Sequence, residues 1–226
     1  MGRGRVPPLA AVAALAVAWP FVLPASTHFY GVLAAVYALV GLSLVVLAGW
    51  TGQISLGHAA FLGLGVYTGQ RLLDAGVPLE LTLPAVAALG AGVSLALGVP
   101  SLRLRGVYLT IVTLAFGAAC ERYIFALESV RGSRSGIVPR ASFFGIPTTS
   151  DRGLYLAVLA VLALALALVW NLRRSDVGRA WFAIRDSEDA ASALGVRIAP
   201  YKIGAFALSA ALTTTAGVFY AMLFQA

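Results

Sequence analysis

Residues 49–69, GWTGQISLGHAAFLGLGVYTG, form an apolar run of membrane-spanning length that carries Gln53, Ser55 and His58 in its first half. Hydrocarbon offers no partner to a polar group, so each such side chain needs protein or water beside it. Glycines at 49, 52, 57, 63, 65 and 69 let backbone approach backbone, and Gly65 and Gly69 have the four-residue spacing of closely packed membrane helices. The segment therefore belongs on an internal surface of a helical membrane protein.

The rest of the chain agrees. Hydrophobic residues make up 60% and charged residues 11%, and the mean hydropathy of +0.90 excludes an ordinary soluble domain. Cys120 is the single cysteine, so no disulfide forms within the chain. A net charge of +7 would suit nucleic acid if the cations lined one face, but they fall between apolar runs, as membrane-flanking charges do. A span needs roughly 20 apolar residues. Candidates lie at about 9–23, 29–49, 55–73, 81–99, 107–127, 153–170 and 203–224. Trp19-Pro20 and Pro24 make a poor signal cleavage site, so the first run is read as a helix. The expected fold is all-α, a polytopic transmembrane bundle of about seven spans forming a single transmembrane domain over residues 1–226. With a cytoplasmic N-terminus, Arg3, Arg5, Arg103, Arg105, Arg173, Arg174, Arg179, Arg185, Arg197 and Lys202 fall inside. Arg71, Arg122, Arg131, Arg134, Arg140 and Arg152 fall outside, a modest positive-inside bias. A re-entrant segment at 55–73 would invert everything after it.

Residues 171–202 are the one long charged stretch, with six basic and four acidic residues. Asp186 or Ser187 can cap a short helix there, with Glu188 and Asp189 in its first turn. Ala190, Ala191, Ala193 and Leu194 continue it, and Gly195 supplies a stop. Upstream, Val177, Ala180, Trp181 and Ile184 have the spacing of an amphipathic interfacial helix. In the last run Ala205, Ser209, Thr213, Gly217 and Ala221 recur every four residues, the pattern of a helix–helix seam. His58 suits either a polar path or a hydrogen bond across helices, and Ser55, three residues earlier, falls on the same helical face. Thr110 and Thr113 are expected to bond their own helix. The chain holds no phosphate-cradling Gly-x-x-x-x-Gly-Lys-Ser/Thr loop, no metal-ligand spacing and no nucleophile turn.

Residues 49–69 closely resemble the N-terminal motif of permease subunits of branched-chain amino-acid ABC importers, the LivH/LivM type. Residues 189–195, DAASALG, resemble the EAA-x-x-x-G coupling motif of such permeases, with Asp in place of Glu. Residues 102–117, LRLRGVYLTIVTLAFG, and residues 182–202 are similar to the LivM branch. The resemblance implies a non-enzymatic LivM-type permease in a bacterial inner membrane, moving branched-chain amino acids. It implies a LivH-like second permease, two cytoplasmic ATPase subunits carrying ATP-Mg, and a periplasmic solute-binding protein as partners. No cofactor on this chain and no nucleic acid are implied. By the same resemblance Gln53, Ser55 and His58 would border the translocation path. Asp186, Glu188, Asp189, Ala190, Ala191 and Gly195 would form the ATPase-docking helix within a cytoplasmic loop at 171–202. Gly65, Gly69, Ala205, Ser209, Thr213 and Gly217 are the helix-packing candidates. Arg131 and Ser133 depart from the family's Thr-Gly-Gly-x-x-Gly loop, which bears on the cargo and keeps urea and short amides open. A non-transporting membrane scaffold is the rival reading. Members of the family continue for further helices, so a C-terminally truncated domain is expected.

Overall fold

The computed structural model describes residues 7–22, 24, 27–101, 107–127, 141–145 and 147–224. Helix α1 (Pro7–Val22) is followed by α2 (His28–Leu44), which widens into a π-helical turn at Val45–Trp50. Next come α3 (His58–Asp74), α4 (Leu79–Ser101) and α5 (Val107–Ala119), the last widening at Cys120–Ile124. Then follow α6 (Asp151–Arg174), α7 (Asp176–Asp186), α8 (Glu188–Ala193) and α9 (Ile198–Phe224). Arg3, Arg5, Arg103, Arg105, Arg140 and the loop carrying Arg131, Ser133 and Arg134 lie outside the described residues.

Serine caps set three of the boundaries. Ser150, Ser175 and Ser187 accept the backbone N–H of Gly153, Gly178 and Ala190 at 3.2, 3.4 and 3.2 Å, satisfying a donor that the first turn leaves orphaned. An acidic residue follows each serine, where the helix dipole favours it. At Gly153 a Cβ would sit 1.9 Å from the Pro147 carbonyl oxygen, so glycine is required for that tight entry.

Four helices among the described residues are long and apolar enough to cross a membrane. They are His28–Trp50, Leu79–Gly98, Asp151–Arg174 and Ile198–Phe224. The other three expected runs form helices too, but α1, α3 and α5 have 16, 17 and 13 residues. The run expected to begin at Ser55 starts its helix only at His58, because residues 52–57 leave the helical path. The last helix begins earlier than expected, at Ile198.

Helix α9 is the hub. Its apolar window is 78% buried, against 33–44% for the other three long helices, so it meets protein on nearly every side. Ala205, Ser209, Thr213 and Gly217 are all buried along it. A Cβ on Gly65 of α3 would lie 2.0 Å from the Thr214 carbonyl oxygen, and one on Gly217 would lie 2.2 Å from the Leu62 carbonyl oxygen. The two backbones are in contact, which only glycine at both places permits. Gly69 packs on Val218 and Gly90 of α4 packs on Thr214.

These contacts fix chain directions. Gly65 at Thr214 and Gly69 at Val218 make α3 parallel to α9. Gly90 at Thr214 and Gly98 at Phe206 make α4 antiparallel to it. Phe29 stacks edge-on to Phe224 while Ser43 meets Thr213, so α2 is antiparallel as well. Helix α3 runs on for about 26 Å without turning back.

Replacing Gly65 by Leu should destabilise the bundle by about 1–3 kcal/mol or more, since the clash is with backbone. Gly92→Ala, where a Cβ meets nothing within 4 Å, should be neutral or gain roughly 0.5–1 kcal/mol from helix propensity. Thermal unfolding of the two variants in detergent checks the contrast.

Candidate functional site

Between α2 and α3 the chain unwinds. Gly52 adopts φ +67°, a left-handed conformation costly for other residues. The wide turn before it closes through Gly52 N–H donating to the Ala48 carbonyl at 3.2 Å and Gln53 N–H to that of Leu47 at 3.1 Å. Thr51 Oγ1 donates to the same Leu47 oxygen at 2.6 Å. Beyond the turn, exposure alternates: Gln53, Ser55 and Gly57 are buried, whereas Ile54 and Leu56 are 62% and 53% exposed. This is the two-residue period of extended backbone. Ser55 and His58 therefore do not share a helical face, correcting the expectation from their spacing, because Ser55 is not in a helix.

Helix α9 holds the side chains of Gln53 and His58, and Ser55 bonds within the segment itself. Gln53 Nε2 donates to Thr51 Oγ1 at 2.9 Å and to the Lys202 carbonyl of α9 at 3.2 Å. Ser55 Oγ accepts the Gly57 N–H at 3.3 Å. His58 Nε2 lies 3.0 Å from Ser209 Oγ of α9, while its Nδ1 is buried without a hydrogen bond. Deeper along α9, Thr213 Oγ1 lies 2.9 Å from Ser43 Oγ of α2. Lys202 and Ser209 are seven residues apart, so the unwound segment descends about 10 Å along α9.

Two backbone groups of the segment are met by α5. Thr110 Oγ1 donates to the Ile54 carbonyl at 3.1 Å, and Thr113 Oγ1 accepts the Leu56 N–H at 3.0 Å. Thr113 also donates to the Thr110 carbonyl at 3.0 Å, as expected, but Thr110 bonds across to another element instead. A threonine pair three residues apart lies on one helix face, so the signal for this clamp was present in the sequence. What was missing was the unwound backbone for it to serve.

At the same end of the bundle, α7 and α8 pack across the chain. Trp181 Nε1 donates to the Tyr201 carbonyl at 2.8 Å, and Arg185 Nη1 donates to the Gly49 carbonyl at 3.1 Å. Trp50 lies against Trp181 and Phe182, with ring centroids 6.1 and 5.7 Å away. Of the two residues offered as a cap for α8, Ser187 serves; Asp186 instead ends α7 and pairs with Arg185 at 2.9 Å. Glu188 turns back to form an ion pair with Lys202. Asp189 and Ala190 are exposed, Ala191 is buried, and Leu194 is 85% exposed. Gly195, at φ +86°, closes α8: its N–H bonds to the Ser192 carbonyl at 2.9 Å while Val196 N–H bonds to that of Ala191 at 3.0 Å. The result is a rigidly stopped helix with one side fixed to α9 and the other open. Among the described residues no group of three or more His, Cys, Asp or Glu converges to hold a metal.

Residues 26–226 match the family described as branched-chain amino acid transport system, permease component. Over 94% of its length the chain is 34% identical to the high-affinity branched-chain amino acid transport system permease protein LivM of Escherichia coli K12. It is 33% identical, over the same share, to the LivM permease protein of Salmonella typhimurium LT2. It spans 56% of the length of each relative. No solved structure matches it.

Thr113→Val removes the acceptor of the Leu56 N–H and should cost about 1–3 kcal/mol, the penalty of a buried donor left unpaired. Thr215→Val, which loses only a bond to Ala211 of its own helix, should cost less than about 1 kcal/mol. Denaturant unfolding in detergent ranks the two, and amide exchange at Leu56 should accelerate only in the first.

Proposed function

The chain belongs to the family of branched-chain amino acid transport permease components, and from that premise we propose that it is a LivM-type subunit of an ATP-driven importer. Its cargo would be aliphatic amino acids. Its partners would be a LivH-like permease, two cytoplasmic ATPase subunits that bind ATP-Mg, and a periplasmic solute-binding protein. The observation that carries the coupling role is α8, a short capped helix tied to the hub on one side. On its other side it presents Asp189, Ala190 and the 85% exposed Leu194. A capped, glycine-stopped helix that keeps an acid and apolar side chains on its open side supports a docking role.

In this reading α8 seats on an ATPase subunit, with Asp189 as its acidic contact, Ala190 and Leu194 as its apolar ones, and Gly195 permitting the sharp stop. Residues 171–202 then face the cytoplasm of a bacterial inner membrane. The antiparallel order of α2, α3 and α4 supports an alternating path in which α1, α3 and α5 also cross, giving seven spans. Residues 52–57 form a wall of the translocation path. Non-helical backbone at membrane depth is tolerated only in protein or beside a water-filled cavity, and this backbone is exposed on one side. Gln53, Ser55 and His58 hold the wall from behind, and Ile54 and Leu56 present an aliphatic surface suited to an aliphatic solute. Closure of the ATPases would shift α8 and rock the spans around that wall.

Co-expression of the chain with its neighbouring ATPases and permease, followed by purification on a tag carried by the chain, tests the docking. The double variant Asp189→Arg, Gly195→Trp should lose at least about tenfold of the recovered ATPase while remaining membrane-inserted. Equal recovery with the variant would overturn the docking assignment. Recovery with neither protein would favour a scaffold.

A further inference from the structure

The polar contacts at the α8 end form a continuous route from the open helix to the unwound wall. Glu188, in the first turn of α8, is ion-paired with Lys202 of α9, the two side chains being 34% and 15% exposed. The backbone carbonyl of Lys202 accepts Gln53 Nε2 at 3.2 Å, and Gln53 is itself part of residues 52–57. A second strut runs alongside, from Arg185 of α7 to the Gly49 carbonyl at 3.1 Å, in the wide turn that precedes the break. Trp181 closes the frame on the neighbouring Tyr201 carbonyl at 2.8 Å. The consequence of this ion pair is where it holds things: it ties α8 to the start of α9.

The geometry points to Lys202 as a positioning residue that couples α8 to the translocation wall: it clamps α8 through its side chain and the wall through its backbone. This rests on the reading of α8 as the ATPase-docking helix. Displacement of α8 pulls Glu188, Glu188 carries Lys202 with it, and the Lys202 carbonyl drags Gln53 and the segment behind it. Without the ion pair, α8 can shift while the wall stays in place.

The test is hydrogen exchange on the full-length chain in complex with its ATPases and second permease, with and without ATP and vanadate. In the unaltered complex, nucleotide should change amide protection both in α8 and in residues 52–57. In Lys202→Met the change in α8 should persist while that in residues 52–57 shrinks about tenfold, as expected when a weak coupling of order 1.4 kcal/mol is removed. Lys202→Glu should do the same, and Glu188→Lys with Lys202→Glu should restore the response. A merely structural role would lower the melting temperature without decoupling the two regions, and the swap would not rescue a selective loss. An undiminished response of residues 52–57 in Lys202→Met overturns the relay alone. If nucleotide leaves α8 of the unaltered complex unchanged, the docking assignment fails and the relay with it.

Discussion

The backbone contact between α3 and α9 is the constraint that places everything else. With Gly65 against the Thr214 carbonyl and Gly217 against that of Leu62, the two helices are closer than any side chain would allow. The gain is dispersion over a long seam, since lipid tails compete on equal terms for ordinary apolar side chains. That approach sets α3 beside α9 in parallel, and the start of α3 then lies where His58 reaches Ser209. It also fixes the distance over which the chain must travel from the end of α2. From Gln53 at the level of Lys202 to His58 at the level of Ser209 the connection descends beside α9 as extended chain.

Extended chain inside a bundle is tolerable only if its amides and carbonyls are met. Here the answer comes from three directions: the wide turn takes the N–H groups of Gly52 and Gln53, α5 takes Ile54 and Leu56, and Gly57 opens α3. The wide turn is itself part of the solution. By adding a residue to the final turn of α2 it frees the Leu47 carbonyl to accept from both Thr51 and Gln53. The polar side chains in this region therefore build the scaffold of the break, and the surface it exposes is the aliphatic one of Ile54 and Leu56.

The break marks the boundary of what the residues reveal when read in order. Helical class, the positions of the long apolar helices, the short capped helix after Ser187 and the family itself were all legible. Each depends on local chemistry such as hydrophobic period, serine caps and a glycine stop. The break was not legible, because glycines at 49, 52 and 57 are equally compatible with a tightly packed helix. The choice between the two is made by Thr110 and Thr113, more than fifty residues away. The four-residue rhythm of Ala205, Ser209, Thr213 and Gly217 suggested one seam on α9. Burial extends around most of the helix between Ala205 and Leu223, and that rhythm traces the line that meets Ser43 of α2 and His58 and Gly65 of α3. Glu188 and Asp189 looked interchangeable as acids on α8; the first turn separates them, one toward Lys202 and the other toward solvent.

A rigid hub cannot transmit motion by bending, because close-packed glycine seams resist small deformations and shift as units. At the start of α9 the side-chain bonds to the Tyr201 and Lys202 carbonyls attach α7 and residues 52–57. These bonds join α9 at its first turn, where no neighbouring glycine seam has yet locked it. The polar struts meet α9 there, and the backbone contacts with α3 lie farther along it, at Thr214 and Gly217.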